Sequence, residues 1–264
     1  MGQIVTLTTN WGYNDFFIGK VKGRLYSFIP DVQVVDITHG IKKFDILDTL
    51  FVVANTCFDF PQGTIHIIDV ISTETIAEPF VIVKCEGQYF ITIDNKIPAA
   101  IVGEREYEAV QINYPQDSNF YTFAVYNLFC YIAQELAQGT PLSDLGSPHQ
   151  LNNASVLSYV LENNTLRLRS MYTDKYGNAY LNIKYTEFEK IRKGRDYYIT
   201  IAEHRHSKIK ISTSYEDMNL DAGTIGIVLT VSVTGYLQLA IKHESAAQML
   251  GLSNYSTEVR IDFE

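Results

Sequence analysis

Short β-branched runs alternate with helical patterns through the first half of this chain, and that alternation constrains the fold more than any other feature. Gln3 to Thr8 (QIVTLT) reads as a buried strand that stops at Asn10-Trp11-Gly12. Asp15 to Phe28 reads as a helix, because Phe17, Val21, Leu25 and Phe28 recur at helical spacing before Pro30 ends the segment. Val32 to Ile37 is a second strand, Phe44 to Thr56 a second amphipathic helix, and Thr64 to Ile71 a third strand. Strands separated by helices predict an α/β domain with a mostly parallel sheet and flanking helices. Phe80 to Cys85 and Tyr89 to Ile93 flank Glu86-Gly87-Gln88 as an antiparallel hairpin. Tyr121 to Gln138 reads as a further helix with Gly139 in the C-cap position.

The rhythm then changes. Gly139 to Asn153 (GTPLSDLGSPHQLNN) lacks apolar periodicity and is rich in turn residues, which reads as a linker. Beyond it come short strands at Thr165 to Tyr172, Ala179 to Tyr185, Tyr197 to Ala202, Lys208 to Thr213, Ile225 to Val231 and Tyr236 to Ile241. Only Thr186 to Arg192 and Ser245 to Leu250 look helical. Strands so spaced predict a compact β-barrel or sandwich. The expected organisation is an N-terminal α/β domain over residues 1–145, a linker over 146–155 and a smaller C-terminal β-barrel domain over 156–264.

Charge narrows the partners. Asp and Glu total 30 against 21 Lys and Arg, a formal net charge of -9, so the mean field repels phosphate backbones and anionic lipid. Neither a nucleic acid nor a membrane is an expected partner. Cys57, Cys85 and Cys130 are far apart and form no CxxC or Cys/His pair, which encodes neither a disulfide framework nor a zinc site and suits a cytoplasmic setting. No basic stretch leads into an apolar segment at the N-terminus, and no apolar run reaches the roughly 20 residues of a membrane helix. Met1-Gly2 reads as the approach to the first strand rather than as a myristoylation signal.

In open α/β sheets, ligands gather beyond the carboxyl ends of strands. The segments there are Asn10 to Asp15, Asp36 to Gly40 and Asp69 to Thr75, with Asp94-Asn95 closing the hairpin. Amides and carboxylates beside Trp11, Tyr13 and Phe44 suit the hydroxyls and flat ring of a nucleoside. The glycine patterns GxGxxG and GxxxxGKS are absent, which favours a nucleoside over a nucleotide. His204 and His206 alternate on an expected strand but have no third ligand, and a solvated strand is the better reading. His39 reads as a loop brace, and Asp45 and Asp48 as surface acids matched to a helix dipole.

Six pieces, in order along both halves, carry a resemblance. They are TTNWGYNDFFIGKVKG (8–23), PDVQVVDITHGI (30–41), FPQGTIHIIDV (60–70), Ile93-Asp94-Asn95, DKYGNAYLNI (174–183) and TGYLQLAIKHESAAQMLGL (234–252). The chain resembles the S-adenosylmethionine hydroxide adenosyltransferase family, relatives of the fluorinase and chlorinase enzymes. That resemblance implies an α/β domain followed by a β-barrel, and a homotrimer with the substrate between the N-terminal domain of one subunit and the C-terminal domain of the next. It implies S-adenosylmethionine as substrate, with neither cofactor nor metal. Water attacks the ribose carbon bonded to sulfonium, and adenosine and methionine result. Asp69 matches a carboxylate that orients and activates water, and is the catalytic residue the resemblance implies. The implied substrate-binding positions are Asn10, Asp15, Phe44, Ser72, Asn95, Asp174, Tyr176 and Asn178, of which Asp174 and Asn178 match the pair holding the methionine end.

Some positions depart from the family pattern. Asn10 stands where the family has a ribose-binding Asp, and an amide accepts through one oxygen only. Val70 to Thr75 contains no arginine, Ala124 and Tyr126 replace a histidine and a basic residue, and Val233 replaces a serine. These changes cluster at the chemistry, which suggests a relative that has lost or altered the reaction. Two expectations follow: a hydrolase of S-adenosylmethionine, or a homologue that binds another small ligand without turnover.

Overall fold

The computed structural model describes residues 2–42, 45–71, 73–114, 123–153, 158–201, 204–207, 209–215, 226–252 and 257–264. They form two compact units, Met1–Ser155 and Val156–Glu264.

The first unit is built on seven strands: β1 (Ile4–Thr9), β2 (Gln33–Thr38), β3 (Ile65–Asp69), β4 (Phe80–Cys85), β5 (Gln88–Ile93), β6 (Tyr107–Ile112) and β7 (Gly146–Pro148). Their order is β2-β1-β3-β5-β4-β6-β7. The helices are α1 (Phe17–Phe28), α2 (Ile46–Ala54), α3 (Ile97–Val102), α4 (Cys130–Gln138) and α5 (Leu142–Leu145). Alternation of side chains along each strand supplies two apolar faces. On one face Val5, Leu7, Ile65, Ile67 and Ile91 pack with Val21 and Leu25 of α1 and Ile132 and Leu136 of α4. On the other, Ile68, Phe90, Val81 and Val83 pack with Val53 of α2 and Ile97 and Ile101 of α3. A sheet buried on both sides requires strands that are apolar throughout, and IHIID of β3 is buried at every position.

Two expectations are corrected here. The sheet is mixed: β2-β1-β3-β5 pair in parallel, whereas β5-β4, β4-β6 and β6-β7 are antiparallel. The cause is the two-residue turn Glu86-Gly87, whose φ angles of 48° and 75° suit a tight hairpin and so reverse the chain. The turn-rich segment after Gly139 is also structured. Leu142 and Leu145 of α5 are buried in the first core, and β7 extends the sheet edge, where Gly146 lies so close to the carbonyl of Gln111 that a Cβ would sit 2.0 Å from its oxygen. Gly and Pro there shape an edge strand rather than a free connection. Gly139 does end α4 in the left-handed region, at φ 87°. The residues before α4, Val125–Phe129, form a π-helical turn. The expected start of that helix at Tyr121 lies outside the described residues.

The second unit contains β8 (Val160–Glu162), β9 (Thr165–Thr173), β10 (Ala179–Lys184), β11 (Tyr197–Ile201), β12 (His204–Ser207), β13 (Ile211–Ser212), β14 (Ile227–Val231), β15 (Tyr236–Ile241) and β16 (Glu258–Phe263), with α6 (Tyr185–Arg192) and α7 (Ala246–Met249). The strand order is β12-β11-β16-β9-β10-β15-β14-β13, and β8 pairs with β9. Period-two burial shows on β9, where Leu166 and Leu168 face the core while Arg167 and Arg169 face out. Residues from β9, β11, β14, β15 and β16 converge with Phe188 of α6 on one core, so the sheet is curled. Among the described residues β12 and β13 do not pair with each other, so the expected barrel is a half-barrel sheet.

Candidate functional site

Parallel neighbours end at the same level. Thr9 of β1 pairs with Asp69 of β3, so the residues just after each strand lie side by side. Asn10 Nδ2 donates to the Val70 carbonyl at 2.7 Å, tying the two ends together. Trp11 Nε1 donates to Asp69 Oδ2 at 2.6 Å. Gly12, at φ 70°, turns the chain so that its N–H reaches the His39 carbonyl at 2.8 Å, which brings in the end of β2.

His39 is fully buried beneath this loop. Its Nδ1 shares a proton with Thr9 Oγ1 at 2.7 Å, and its Nε2 lies 3.1 Å from Asp36 Oδ1, off the line of a good hydrogen bond. Burial raises the Asp36 pKa, but the hydrogen bond from Lys22 and the proximity of the His39 ring outweigh it and hold the carboxyl below its ordinary value. His39 is therefore a brace, as its sequence position suggests. The Trp11 ring stacks on His39 with centroids 5.9 Å apart and meets Phe123 edge-on at 5.3 Å.

Asp69 is 7% exposed. Burial pushes its pKa up to about 6, against the lowering effect of the Trp11 hydrogen bond. A carboxylate so poised is mostly ionised at neutral pH, yet basic enough to take a proton from water during attack. Ala124 is buried in the core, and Tyr126 stacks on Phe123. The Arg24 guanidinium lies 3.7 Å from the Tyr126 ring centroid and donates to its backbone carbonyl at 2.6 Å, which places a cation beside the π-helical turn.

At the end of β5, Asp94 is fully buried and its Oδ2 accepts from His149 Nε2 at 2.8 Å and Asn152 N at 2.9 Å. Asn95 is also buried, with Oδ1 accepting from Ile97 N at 3.3 Å as α3 begins. The hydrogen bonds of Asn95 thus serve the turn. Asp15 is exposed and accepts from Phe16 N at 2.7 Å ahead of α1. Phe44 and Ser72 lie outside the described residues.

In the second unit, Asp174, Tyr176 and Asn178 line one open cavity of about 770 Å³. Asp174 Oδ1 accepts from Tyr176 N at 2.9 Å and Asn178 N at 3.0 Å, and its Oδ2 from Asn178 Nδ2 at 2.9 Å. Tyr180 and Gln238 approach the same Oδ2, each at 3.4 Å, and Tyr215 donates to Gln238 Oε1. Burial, with Asp174 adding to it, lifts the Tyr180 pKa to about 12, so the hydroxyl stays a donor. Tyr176 is 82% exposed and Val233 fully exposed. Among the described residues no group of three or more His, Cys, Asp or Glu side chains could hold a metal ion.

Models of the SAM hydroxide adenosyltransferase N-terminal domain and C-terminal domain match residues 5–146 and 169–259. The chain belongs to the SAM hydroxide adenosyltransferase family. It is 23% identical to the (R)-S-adenosyl-L-methionine hydrolase of Methanocaldococcus jannaschii, over 98% of this chain and 95% of that protein. Identity to the fluorinase of Nocardia brasiliensis is also 23%, over 98% of this chain and 97% of that one. A crystal structure of an uncharacterised conserved protein from Thermotoga maritima shares the fold, with a TM-score of 0.84 and 22% identity over 98% of this chain and all of that one.

Sequence reasoning overlooked three features of these clusters. It treated Trp11 as a ring near a ligand rather than as the donor to Asp69, and it did not single out Gln238 or Tyr180. Trp11 was the most accessible of the three, since it stands two residues past a strand whose parallel neighbour ends in Asp.

Proposed function

We propose that this protein hydrolyses S-adenosylmethionine to adenosine and methionine. The observation that carries the reading is Asp69: a buried carboxylate at the carboxyl ends of the parallel strands, raised to about 6 and held by one directed hydrogen bond. Burying such a group costs stability, and sites that accept that cost are enriched in function. Asp69 takes a proton from water as the water oxygen bonds to the ribose carbon. The carbon–sulfur bond breaks, sulfur keeps the electron pair, and methionine leaves as a neutral thioether. Holding water in line and away from bulk solvent supplies much of the acceleration.

Asp174 and Asn178 bind the methionine end through the carboxylate and amide that line the cavity of the second unit. In the homotrimer that the resemblance implies, this cavity would belong to one copy and the Asp69 loops to another. Sedimentation at micromolar concentration reads the assembly, with a trimer mass expected and a monomer contradicting it.

The Methanocaldococcus jannaschii relative is named for hydrolysis of (R)-S-adenosyl-L-methionine, so both sulfonium epimers enter the assay. Purified protein incubated with each should release adenosine and methionine in equal amounts, followed by chromatography. No adenosine above a buffer control from either epimer, at high protein concentration, overturns the proposal.

A further inference from the structure

We infer that Trp11 is the positioning residue for the water-activating carboxylate, its indole N–H determining which oxygen of Asp69 is left to accept the proton. The inference rests on the hydrolytic reading above.

An indole nitrogen only donates and carries no charge. Bonded to Oδ2 at 2.6 Å, it occupies that oxygen and leaves Oδ1 as the basic one. Among the described residues, no other side chain hydrogen-bonds to Asp69. A guanidinium or imidazolium in the same place would also orient the carboxylate, but its charge would lower the pKa and weaken the base. A neutral donor orients at smaller cost in basicity.

The donor is itself immobilised. Its ring stacks on His39, meets Phe123 edge-on and lies 6.2 Å from Phe17 of α1. Trp11 N points to Thr9 Oγ1 at 3.4 Å, and the same hydroxyl holds His39. Ring, histidine and threonine brace one another, so the direction of the N–H is set by the fold rather than by substrate. The titratable groups around the indole are Asp69 from β3 and His39 after β2. Behind His39 lie Tyr13 on one side and the Asp36–Lys22 pair on the other. From the π-helical side the neighbour is Phe123, with Arg24 engaged on Tyr126 beyond it.

Trp11 is the single tryptophan of the chain, so its emission reports on this contact without any substrate. Titrated from pH 4.5 to 8, the full-length protein should show a change in emission with a midpoint near 6, and Asp69→Asn should lack it. A transition that persists in Asp69→Asn does not arise from Asp69 and overturns the coupling, as does the absence of any transition. With substrate, Trp11→Phe keeps the ring but loses the donor. Its kcat should fall about 10- to 100-fold while KM stays within about twofold, because a misaimed base loses rate rather than binding. The rising limb of its pH profile should move to higher pH. Unchanged kcat and pH profile in Trp11→Phe contradict the inference even if the enzyme turns over. A wild-type protein that shows the emission transition but releases no adenosine would instead fault the hydrolytic reading alone.

Discussion

Asn178 holds Asp174 at both oxygens, with its backbone N–H 3.0 Å from Oδ1 and its side-chain amide 2.9 Å from Oδ2. The carboxylate is thereby fixed in one orientation beside the cavity of the second unit. Asn178→Ala should loosen it and raise KM for S-adenosylmethionine by about tenfold, the usual worth of a charge-assisted hydrogen bond, with kcat less affected. Initial-rate kinetics check this. A kcat defect with unchanged KM would place Asp174 outside the binding role.

Between those two residues, Gly177 permits a close approach. At φ 82° a Cβ would sit 2.2 Å from Ser245 Oγ and 2.7 Å from its Cα, so both backbone conformation and space demand glycine. The Gly177 carbonyl also accepts from Ala247 N at 2.9 Å, clamping the loop onto α7. Gly177→Ala should destabilise the protein by about 2–4 kcal/mol in denaturant unfolding. A change below about 0.5 kcal/mol would show that the clamp relaxes freely.

Asp69 destabilises the fold at neutral pH. Its pKa is about 6 in the folded chain against 3.8 as reference, so the native state holds more protons than the unfolded state between those values. Stability from this group is thus lost as pH rises through the window and stays lost above it. Asp69→Asn can still accept from Trp11 and should be more stable than wild type by about 1–3 kcal/mol at pH 7.5, the difference closing below about pH 4. Thermal unfolding across pH reads it. A variant less stable than wild type at pH 7.5 would contradict the burial account.

The same group sets the rate profile. Only ionised Asp69 accepts a proton, so log kcat should rise with unit slope below about pH 6 and level off above it. A flat profile between pH 5 and 8 would assign proton transfer elsewhere.

How much of this was legible in the sequence follows from the range of each interaction. The strand and helix pattern from Ile4 to Asp69, the Glu86-Gly87 hairpin and the Gly139 cap are local, written in periodicity and turn chemistry. The edge strand at Gly146 is not, because its partner Ile112 is 34 residues earlier and its composition matches a linker. For the site, Asp69 was legible through resemblance and end-of-strand position. Its bond to Trp11 spans 58 residues and depends on β1 and β3 being parallel neighbours, which periodicity does not specify. The losses at Ala124 and Tyr126 suggested a degenerate site. What those positions could not reveal is the neutral donor that Asp69 has in Trp11.

Delivery of water to the ribose carbon by Asp69 is tested most directly by running the reaction in 18O-labelled water. Mass spectrometry should find one 18O in the adenosine, none in the methionine, and a rate at least about 100-fold lower for Asp69→Asn. Unlabelled adenosine, or an Asp69→Asn protein that turns over at the wild-type rate, would contradict it.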